Sequence, residues 1–360
     1  MNALERELRA MIADEGPLSI ERWMQLCLQH PVHGYYTTRE AIGRTGDFIT
    51  APEIHQMFGE LLGLWAAQVW LDAGAPAPIR LVELGPGRGT LMADALRATR
   101  IVPGFHAALA VDMVETSPRL EAAQRAALAG VTPDVVWRRT IEEVPAGPAL
   151  ILANEFFDAL PVRHYVRGAR GWHERVVGLD AEDRLVFGAA GAPVDVGGVA
   201  GEPGQMLEVG HASLRAMETL AARIATQGGA LLVCDYGHAE SGLGETLQAV
   251  RGHAYADPLA DPGEADLTTH VDFAALARTA TAAGAVAHGP IEQGAFLRKL
   301  GIASRAEALR RRADTRQVEA IDAALHRLTS PESSMATIFK VLAVVPQGAP
   351  TPPGFEERNT

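Results

Sequence analysis

The stretch LVELGPGRGTL, residues 81–91, places a glycine-rich turn between a short apolar run and a helix-like segment. Gly85, Gly87 and Gly89 occupy the turn, and Glu83 precedes it. Glycine tolerates positive φ and, because it lacks a Cβ, lets a ligand lie against the backbone. The stretch therefore predicts a strand, a ligand-binding turn and a helix, although such a turn is also compatible with a purely structural role.

Short apolar runs then alternate with helical patterns, as in a parallel sheet covered by helices. Strands are predicted at 79–84, 108–114, 134–138, 148–153 and 229–235. Residues 162–208 interrupt the alternation with β-like runs, which predicts an inserted β-rich segment. Residues 236–269 predict an irregular substrate-side loop, because they exceed ordinary loop length. Helices are predicted from His270 to Ala283 and over 303–329.

A chain of 360 residues has room for about two domains. We predict a helical cap and signature loop in residues 1–75, a core in 76–345 and a loose tail in 346–360.

Composition limits the classes of partner. The net charge is 32 minus 44, or -12, which disfavours nucleic acid and suits a basic partner. No apolar run approaches the roughly 18 to 20 residues of a membrane span, so we expect no membrane insertion. Cys27 and Cys234 stand far apart and the histidines lack ligand spacing, which predicts no metal site. The acidic N-terminal residues do not fit a presequence, so the predicted location is the cytoplasm.

The turn favours S-adenosyl-L-methionine over a dinucleotide. A dinucleotide fingerprint is G-x-G-x-x-G, whereas the third glycine here comes one residue early. Glu83 would repel a pyrophosphate but could hold the ammonium group of S-adenosylmethionine. A nucleotide-dependent oxidoreductase remains the competing interpretation.

Two later strand ends supply further cofactor candidates. Glu115 ends the second strand, where a carboxylate can accept both ribose hydroxyls; alternatively it is an exposed strand-end acid. Thr140 and Ile141 follow the third strand and could flank an adenine. Alternatively, Thr140 only caps a short helix, since Thr140 and Glu143 have capping-box spacing.

The fourth strand ends in ILANEFFDALPVR, where the reacting end of a cofactor is expected. Asn154, Glu155 and Asp158 are the polar candidates there, and helix-capping acids are the alternative. Asp235 and Tyr236, after the fifth strand, are neighbouring rim candidates.

Several long motifs resemble the MidA family, which includes the mitochondrial complex I assembly factor and is described as an S-adenosylmethionine-dependent methyltransferase with a protein arginine target. They are GDFITAPEIHQMFGELLGLW (46–65), ELGPGRGTL (83–91), NEFFDALPVR (154–163), DYGH (235–238), RGH with DPLADPGEADLTTHVDF (251–273) and QGAFLRKLGI (293–302).

The resemblance implies an α/β class I methyltransferase (Rossmann-like) fold, with a seven-stranded sheet, helices on both faces, N-terminal helices and a substrate-side insertion. It implies a cofactor role for the three glycines and Glu115, a respiratory complex I subunit as partner, and the mitochondrial matrix for eukaryotic relatives. It also draws in Gly46, Asp47 and the TAPE at 50–53. Thr50 and Glu53 would cap the following helix and close over the methionine end, or form a structural turn.

Methyl transfer needs an aligned nucleophile more than it needs catalytic groups. Glu155 and Asp158 are predicted to orient a substrate guanidinium. His270, with Asp266 and Asp272, could form a second polar patch or accept a proton, or His270 could be a cap or rim residue. A small-molecule methyltransferase and an assembly chaperone remain alternatives. The oligomeric state is open, with a homodimer as one option.

Overall fold

The computed structural model describes residues 1–38, 50–131 and 134–356. Gly46 and Asp47 lie outside the described residues. The α-helices of the described part are α1 (Ala3–Glu15), α2 (Ile20–Gln29), α3 (Tyr35–Thr38), α4 (Ala51–Ile54), α5 (Met57–Asp72), α6 (Thr90–Thr99), α7 (Phe105–Ala108), α8 (Pro118–Ala127), α9 (His211–Gln227), α10 (Phe273–Ala282), α11 (Gln293–Lys299), α12 (Ile302–Arg310), α13 (Thr315–Thr329) and α14 (Ser334–Thr337).

The strands of the same residues are β1 (Leu18–Ser19), β2 (Ile79–Leu84), β3 (Leu109–Val114), β4 (Val135–Arg138), β5 (Ala149–Asn154), β6 (Arg163–Gly168), β7 (Gly171–Leu179), β8 (Leu185–Val194), β9 (Met206–Val209), β10 (Gly229–His238), β11 (Gln248–Arg251), β12 (Ala254–Ala256), β13 (Asp266–Thr268), β14 (Val271–Asp272), β15 (Val286–Glu292) and β16 (Phe339–Val345).

The chain forms two compact units. Unit 1 comprises residues 1–48, 158–215 and 240–271, and unit 2 comprises residues 49–157, 216–239 and 272–360. The sequence prediction divided the chain at residue 75 instead. In the structure α5 groups with unit 2, and the strands inserted after β5 group with α1 and α2 in unit 1.

The main sheet of the described residues has eight strands: seven lie side by side in the order β15, β16, β10, β5, β2, β3 and β4, and the two-residue β14 pairs with β10. β2, β3, β4, β5 and β10 are parallel, whereas β16 runs antiparallel to both of its neighbours. The five predicted strands and the predicted α/β fold are therefore confirmed, and the seven expected strands are joined by the short β14.

Burial on both faces explains why these strands have continuous apolar runs. Every residue of β5 is buried, as are five of the six residues of β2. A parallel strand covered on both faces needs apolar side chains at successive positions rather than at alternate ones. The chain proceeds from β2 to β3 and β4 on one side, then returns to β5 on the other, so the order reverses at β2. Ligands of open α/β sheets bind at such a switch point.

Helix α5 packs closely against α6 because glycine lines its contact face. A Cβ added at Gly63 would lie 2.5 Å from the Cα of Ala95. On the same helix, the buried carboxylate of Glu60 accepts hydrogen bonds from Arg305 at 2.7 and 2.9 Å and from Arg97 at 3.0 Å. One carboxylate therefore ties together α5, α6 and α12.

Unit 1 contains two antiparallel sheets. β1, β7, β6 and β9 lie side by side with β8 paired to β7, and β12, β11 and β13 form the second sheet. The unit has its own apolar core, to which Leu8, Trp23 and Val177 contribute. The inserted β-rich segment is thus present. The irregular loop predicted over 236–269 is partly wrong, because its polar, glycine-rich sequence concealed three short strands.

Other boundaries also differ from the prediction. α10 begins at Phe273 rather than His270, because the Asp272 side chain accepts the Ala275 N–H and caps the helix there. The helix predicted over 303–329 is two helices, and Asp314 begins the second with a capping box to Gln317.

The end of the chain is packed as far as it is described. The Trp65 indole donates to the Pro353 carbonyl at 3.1 Å, and the ring of Phe355 lies 5.4 Å from that of Phe296. The loose tail predicted from Pro346 is therefore wrong for residues 346–356, because its proline and glycine content concealed an aromatic anchor. Residues 357–360 are outside the described part.

Candidate functional site

The glycine turn follows β2 and leads into α6. Gly85, Gly87 and Gly89 have φ values of 60°, 53° and 82°, a region that favours glycine. A Cβ at Gly85 would lie 3.2 Å from the ring of Phe156, and a Cβ at Gly89 would lie 3.2 Å from the Cα of Gln124. The positive φ therefore favours glycine at all three positions, and the limited space favours it further at Gly85 and Gly89.

Glu83 lies at the end of β2 and is 3% exposed. The backbone N–H of Met92, in the first turn of α6, lies near its carboxylate. Its Oε2 is buried and has no hydrogen-bond partner among the described residues.

Burial raises the pKa of Glu83 well above 4.5, and the nearby Glu115 carboxylate raises it further. A buried polar atom is costly unless a donor satisfies it. A cationic donor such as an ammonium group would both supply that hydrogen bond and favour the ionised form. The surroundings of Glu83 are therefore compatible with the ammonium group of S-adenosylmethionine, for which the sequence suggested this residue.

Glu115 follows β3 and is also buried, so the alternative of an exposed strand-end acid is wrong. Its Oε1 accepts the Ser117 N–H at 2.7 Å, and its Oε2 accepts the Gln124 amide at 3.0 Å. Burial raises its pKa, and hydrogen bonds from Ser117 and Gln124 oppose that rise. The bonds orient a carboxylate that has about four acceptor sites in total.

Thr140 and Ile141 follow β4 at the same sheet edge, since the Glu115 N–H donates to the Arg138 carbonyl at 2.9 Å. The predicted capping box at Thr140 is wrong, because its side chain makes no capping bond. The Glu143 carboxylate instead accepts the backbone N–H of Arg139 at 2.8 Å. Thr140 is exposed and Ile141 is half-buried.

The turn after β5 holds Glu155 in a left-handed conformation with φ of 49°. A non-glycine residue in this region is strained, and such strain clusters at functional sites. Its Oε1 accepts the Ala51 N–H at 3.1 Å and the Asn154 Nδ2 at 3.0 Å. The Asn154 Oδ1 is buried without a hydrogen-bond partner among the described residues. Because a turn rather than a helix follows, the helix-capping alternative for these residues is wrong.

Asp235 holds that turn in place from the neighbouring strand β10. It is fully buried, and its Oδ2 accepts the backbone N–H groups of Phe156 at 3.2 Å and Phe157 at 2.9 Å. Its Oδ1 accepts the N–H of Tyr236 at 2.9 Å. Sequence alone suggested a rim residue, whereas the structure shows a buried anchor for the two backbone N–H groups that follow Glu155.

Thr50 and Glu53 belong to α4. Thr50 occupies the N-cap position of α4 but its side chain makes no capping hydrogen bond, so that part of the prediction is wrong. The Glu53 carboxylate accepts the hydroxyl of Thr90, the first residue of α6. This contact connects the signature segment to the helix that follows the glycine turn.

Asp158, Asp266 and His270 lie in unit 1, whereas Asp272 belongs to unit 2. The Tyr36 hydroxyl donates to the Asp266 carboxylate at 2.8 Å, and the pKa of Tyr36 is raised by burial and then by the carboxylates of Asp266 and Asp158. Asp158 is buried, and its carbonyl accepts the Thr269 N–H at 3.2 Å. The backbone N–H of His270 donates to the Thr246 hydroxyl at 2.8 Å. Tyr36 was not found from the sequence, because nothing near it in the chain indicates a partner more than two hundred residues away.

Within residues 1–38, 50–131 and 134–356, no three His, Cys, Asp or Glu side chains are grouped to hold a metal ion. In the same part of the chain, no helix has the length and apolar character that crossing a bilayer requires.

Comparison with known proteins assigns the chain. Residues 61–291 match a family model described as "Putative S-adenosyl-L-methionine-dependent methyltransferase". The chain belongs to this family. This match confirms the methyltransferase class, the S-adenosylmethionine cofactor and the family resemblance seen in the motifs. It does not support the oxidoreductase alternative.

Relatives of this methyltransferase include the mitochondrial protein arginine methyltransferase NDUFAF7 homolog of Drosophila melanogaster, 38% identical over 96% of this chain and 85% of the relative. The mitochondrial protein arginine methyltransferase NDUFAF7 of Homo sapiens is 37% identical over 84% of this chain and 74% of the relative. The chain also resembles the crystal structure of a likely methyltransferase from Burkholderia thailandensis bound to S-adenosyl-homocysteine. The TM-score is 0.88 and the sequence identity is 30%, over 99% of this chain and 95% of that one.

Proposed function

We propose that this methyltransferase transfers the methyl group of S-adenosylmethionine to a guanidinium nitrogen of an arginine in a protein. The Glu155 carboxylate is the main support for this proposal, because Ala51 and Asn154 hold it in a strained turn. That turn is adjacent to the glycine loop, since the Phe156 ring limits the space at Gly85. The names of the relatives, protein arginine methyltransferases, give the same substrate class.

Most of the proposed cofactor residues lie at or just after the carboxyl ends of β2, β3, β4 and β5. Glu83 would accept the ammonium group, the glycines at 85, 87 and 89 would let the cofactor approach the backbone, and Glu115 would accept the ribose hydroxyls. Thr140 and Ile141 would flank the adenine. Asn154 and Thr50 would lie at the methionine end. The bound cofactor supplies an activated methyl group on a sulfonium centre.

The chain's own contribution is alignment and charge. A guanidinium has a pKa above about 12, so it needs a carboxylate to orient one nitrogen and to stabilise the cation that the product retains. Glu155 is proposed for that role, since Asp235 anchors the two backbone N–H groups that directly follow it. The aromatic rings of Phe156 and Phe157 would limit access of water. Asp158 and His270 are separate proposals as an orienting carboxylate and a proton acceptor for the substrate.

The proposed target is a basic segment of a protein such as a respiratory complex I subunit. The acidic balance of the chain, -12, is compatible with such a partner. For a bacterial source the proposed location is the cytoplasm, whereas the eukaryotic relatives are named mitochondrial.

Mass spectrometry of cellular proteins tests the proposal directly. Cells that lack the protein would be complemented with wild type, Glu155→Gln, or Glu142→Gln as a matched control at an exposed position. Arginine methylation at specific sites should require wild type or the control and fail with Glu155→Gln. Loss of methylation only at other residue types or on small molecules would overturn the arginine assignment. An intact complex I in cells that carry a folded variant unable to bind cofactor would instead favour the assembly-chaperone alternative.

A further inference from the structure

Gln124 links three parts of the sheet edge through one side-chain amide. It belongs to α8 and is fully buried. Its Nε2 donates to the Gly87 carbonyl at 2.8 Å and to the Glu115 Oε2 at 3.0 Å, and its Oε1 accepts the Trp137 indole N–H at 2.8 Å. The amide thus connects the glycine turn after β2, the acid after β3 and the strand β4.

The orientation of this amide is fixed by its neighbours. An indole N–H can only donate, whereas a carbonyl and an ionised carboxylate can only accept. Turning the amide over would place NH₂ against the indole N–H and oxygen against two acceptors. Only the orientation with Oε1 towards Trp137 satisfies all three groups, so the position demands a neutral side chain with both a donor and an acceptor.

The backbone around Gln124 is also close to the turn. A Cβ at Gly89 would lie 3.2 Å from the Gln124 Cα. Helix α8 therefore passes close to the glycine turn, and the Gln124 side chain extends from there to Glu115. The Arg125 guanidinium lies 3.9 Å from the centre of the Trp137 ring and covers the indole. Two successive residues of α8 therefore contact Trp137: Gln124 accepts its indole N–H, and Arg125 packs on its ring.

We infer that Gln124 is a positioning residue for the cofactor. It holds the Glu115 carboxylate in a fixed place relative to the Gly87 backbone. It thereby makes the protein bind a ligand with free ribose hydroxyls more tightly than one without them. The inference rests on the proposed role of Glu115. One oxygen of Glu115 is held by the backbone of Ser117 and the other by Gln124. Without Gln124 the carboxylate keeps only its local backbone contacts and can rotate away from the ribose.

The inference predicts coupling between residue 124 and the ribose, which a merely structural role would not produce. Calorimetry would measure the dissociation constants of S-adenosylhomocysteine and of an analogue that lacks both ribose hydroxyls. For wild type the ratio of the two should be about ten-fold or more, as expected for hydrogen bonds to a charged acceptor. Gln124→Leu should lower that ratio to about three-fold or less. Gln68→Leu, on the exposed face of α5, is the matched control and should keep the wild-type ratio.

A folded Gln124→Leu protein with the wild-type ratio would overturn the inference. If that variant does not fold, Trp137→Phe carries the test, because it keeps an aromatic ring but removes the N–H donor that orients the amide: a reduced ratio supports the inference and an unchanged ratio overturns it. Glu115→Gln separates the two proposals. A wild-type ratio in Glu115→Gln contradicts the proposed cofactor role of Glu115, whereas a reduced ratio there with no change in Gln124→Leu removes only the role of Gln124.

Discussion

The Oδ2 atom of Asp235 accepts the backbone N–H of Phe157 at 2.9 Å. With the parallel bond from Phe156, this contact lets a carboxylate on β10 fix the strained turn after β5. Glu155 lies directly before these two amides in the chain. The conformation of the proposed substrate-orienting residue is therefore decided by a side chain about eighty residues away.

Replacement of Asp235 by Asn should loosen that turn. In either amide orientation, an NH₂ group would face backbone N–H groups that now have an acceptor. We expect a loss of about 1 to 3 kcal/mol in the free energy of unfolding, measured by urea denaturation. Single-turnover methyl transfer should fall at least about ten-fold. Asp72→Asn, at an exposed position on α5, is the control; equal effects of both changes would contradict the anchoring role.

Because of Glu83, the stability of the folded protein and its affinity for the cofactor should change in opposite directions with pH. Burial raises the pKa of this carboxyl well above 4.5, so the folded protein retains the proton longer than the unfolded chain. Its contribution to stability is therefore complete below about pH 4.5 and is lost as the pH rises through the raised pKa. Binding of the ammonium group needs the ionised form and should strengthen over the same range.

Glu83→Gln tests both trends, with Glu142→Gln at an exposed position as its control. The substitution should remove the pH dependence of cofactor affinity seen by calorimetry. It should also remove the associated fall in melting temperature of the ligand-free protein. A pH profile identical to that of wild type would show that another group is responsible.

Gly89→Ala should harm cofactor binding beyond the effect of backbone strain. Gly74 has the same φ of 82° but nothing within 4 Å of an added Cβ, whereas at Gly89 the Gln124 Cα is 3.2 Å away. Both Ala variants should lose about 1 kcal/mol of stability through positive φ. Only Gly89→Ala should weaken S-adenosylhomocysteine binding, by about ten-fold or more in calorimetry. Equal affinities for the two variants would argue against close packing at the turn.

Glu60 should make the stability of unit 2 sensitive to acid. Burial alone would raise its pKa, but hydrogen bonds from Arg305 and Arg97 outweigh it, so the pKa is lower than 4.5. The stabilisation is present above pH 4.5 and is lost as the pH falls through the lowered pKa.

Glu60→Gln should cost about 2 kcal/mol at neutral pH, less than a fully buried ion pair because both guanidinium groups are partly exposed. Urea denaturation at neutral and acidic pH measures this. The difference from wild type should shrink in acid. Glu307→Gln, which removes the ion pairs of the exposed Glu307 carboxylate with Arg310 and Arg311, should have little effect at either pH.

The sequence by itself determined the sheet and the position of the glycine turn. Buried parallel strands such as β5 need apolar side chains at successive positions, and the turn favours glycine, so both leave a local record in the chain. The long family motifs identified the methyltransferase class for the same reason, because each motif is contiguous.

Only the tertiary structure decided which polar groups meet. Gln124 looks like an ordinary helical residue until β3 and β4 bring Glu115 and Trp137 to its amide. Asp235 was placed at a rim because the sequence does not show the backbone amides that it accepts, and Tyr36 reaches Asp266 across 230 residues. Apolar periodicity is a property of neighbouring residues in the chain. A buried hydrogen bond depends on which distant strands and helices pack side by side, and that order is settled only when the whole sheet forms.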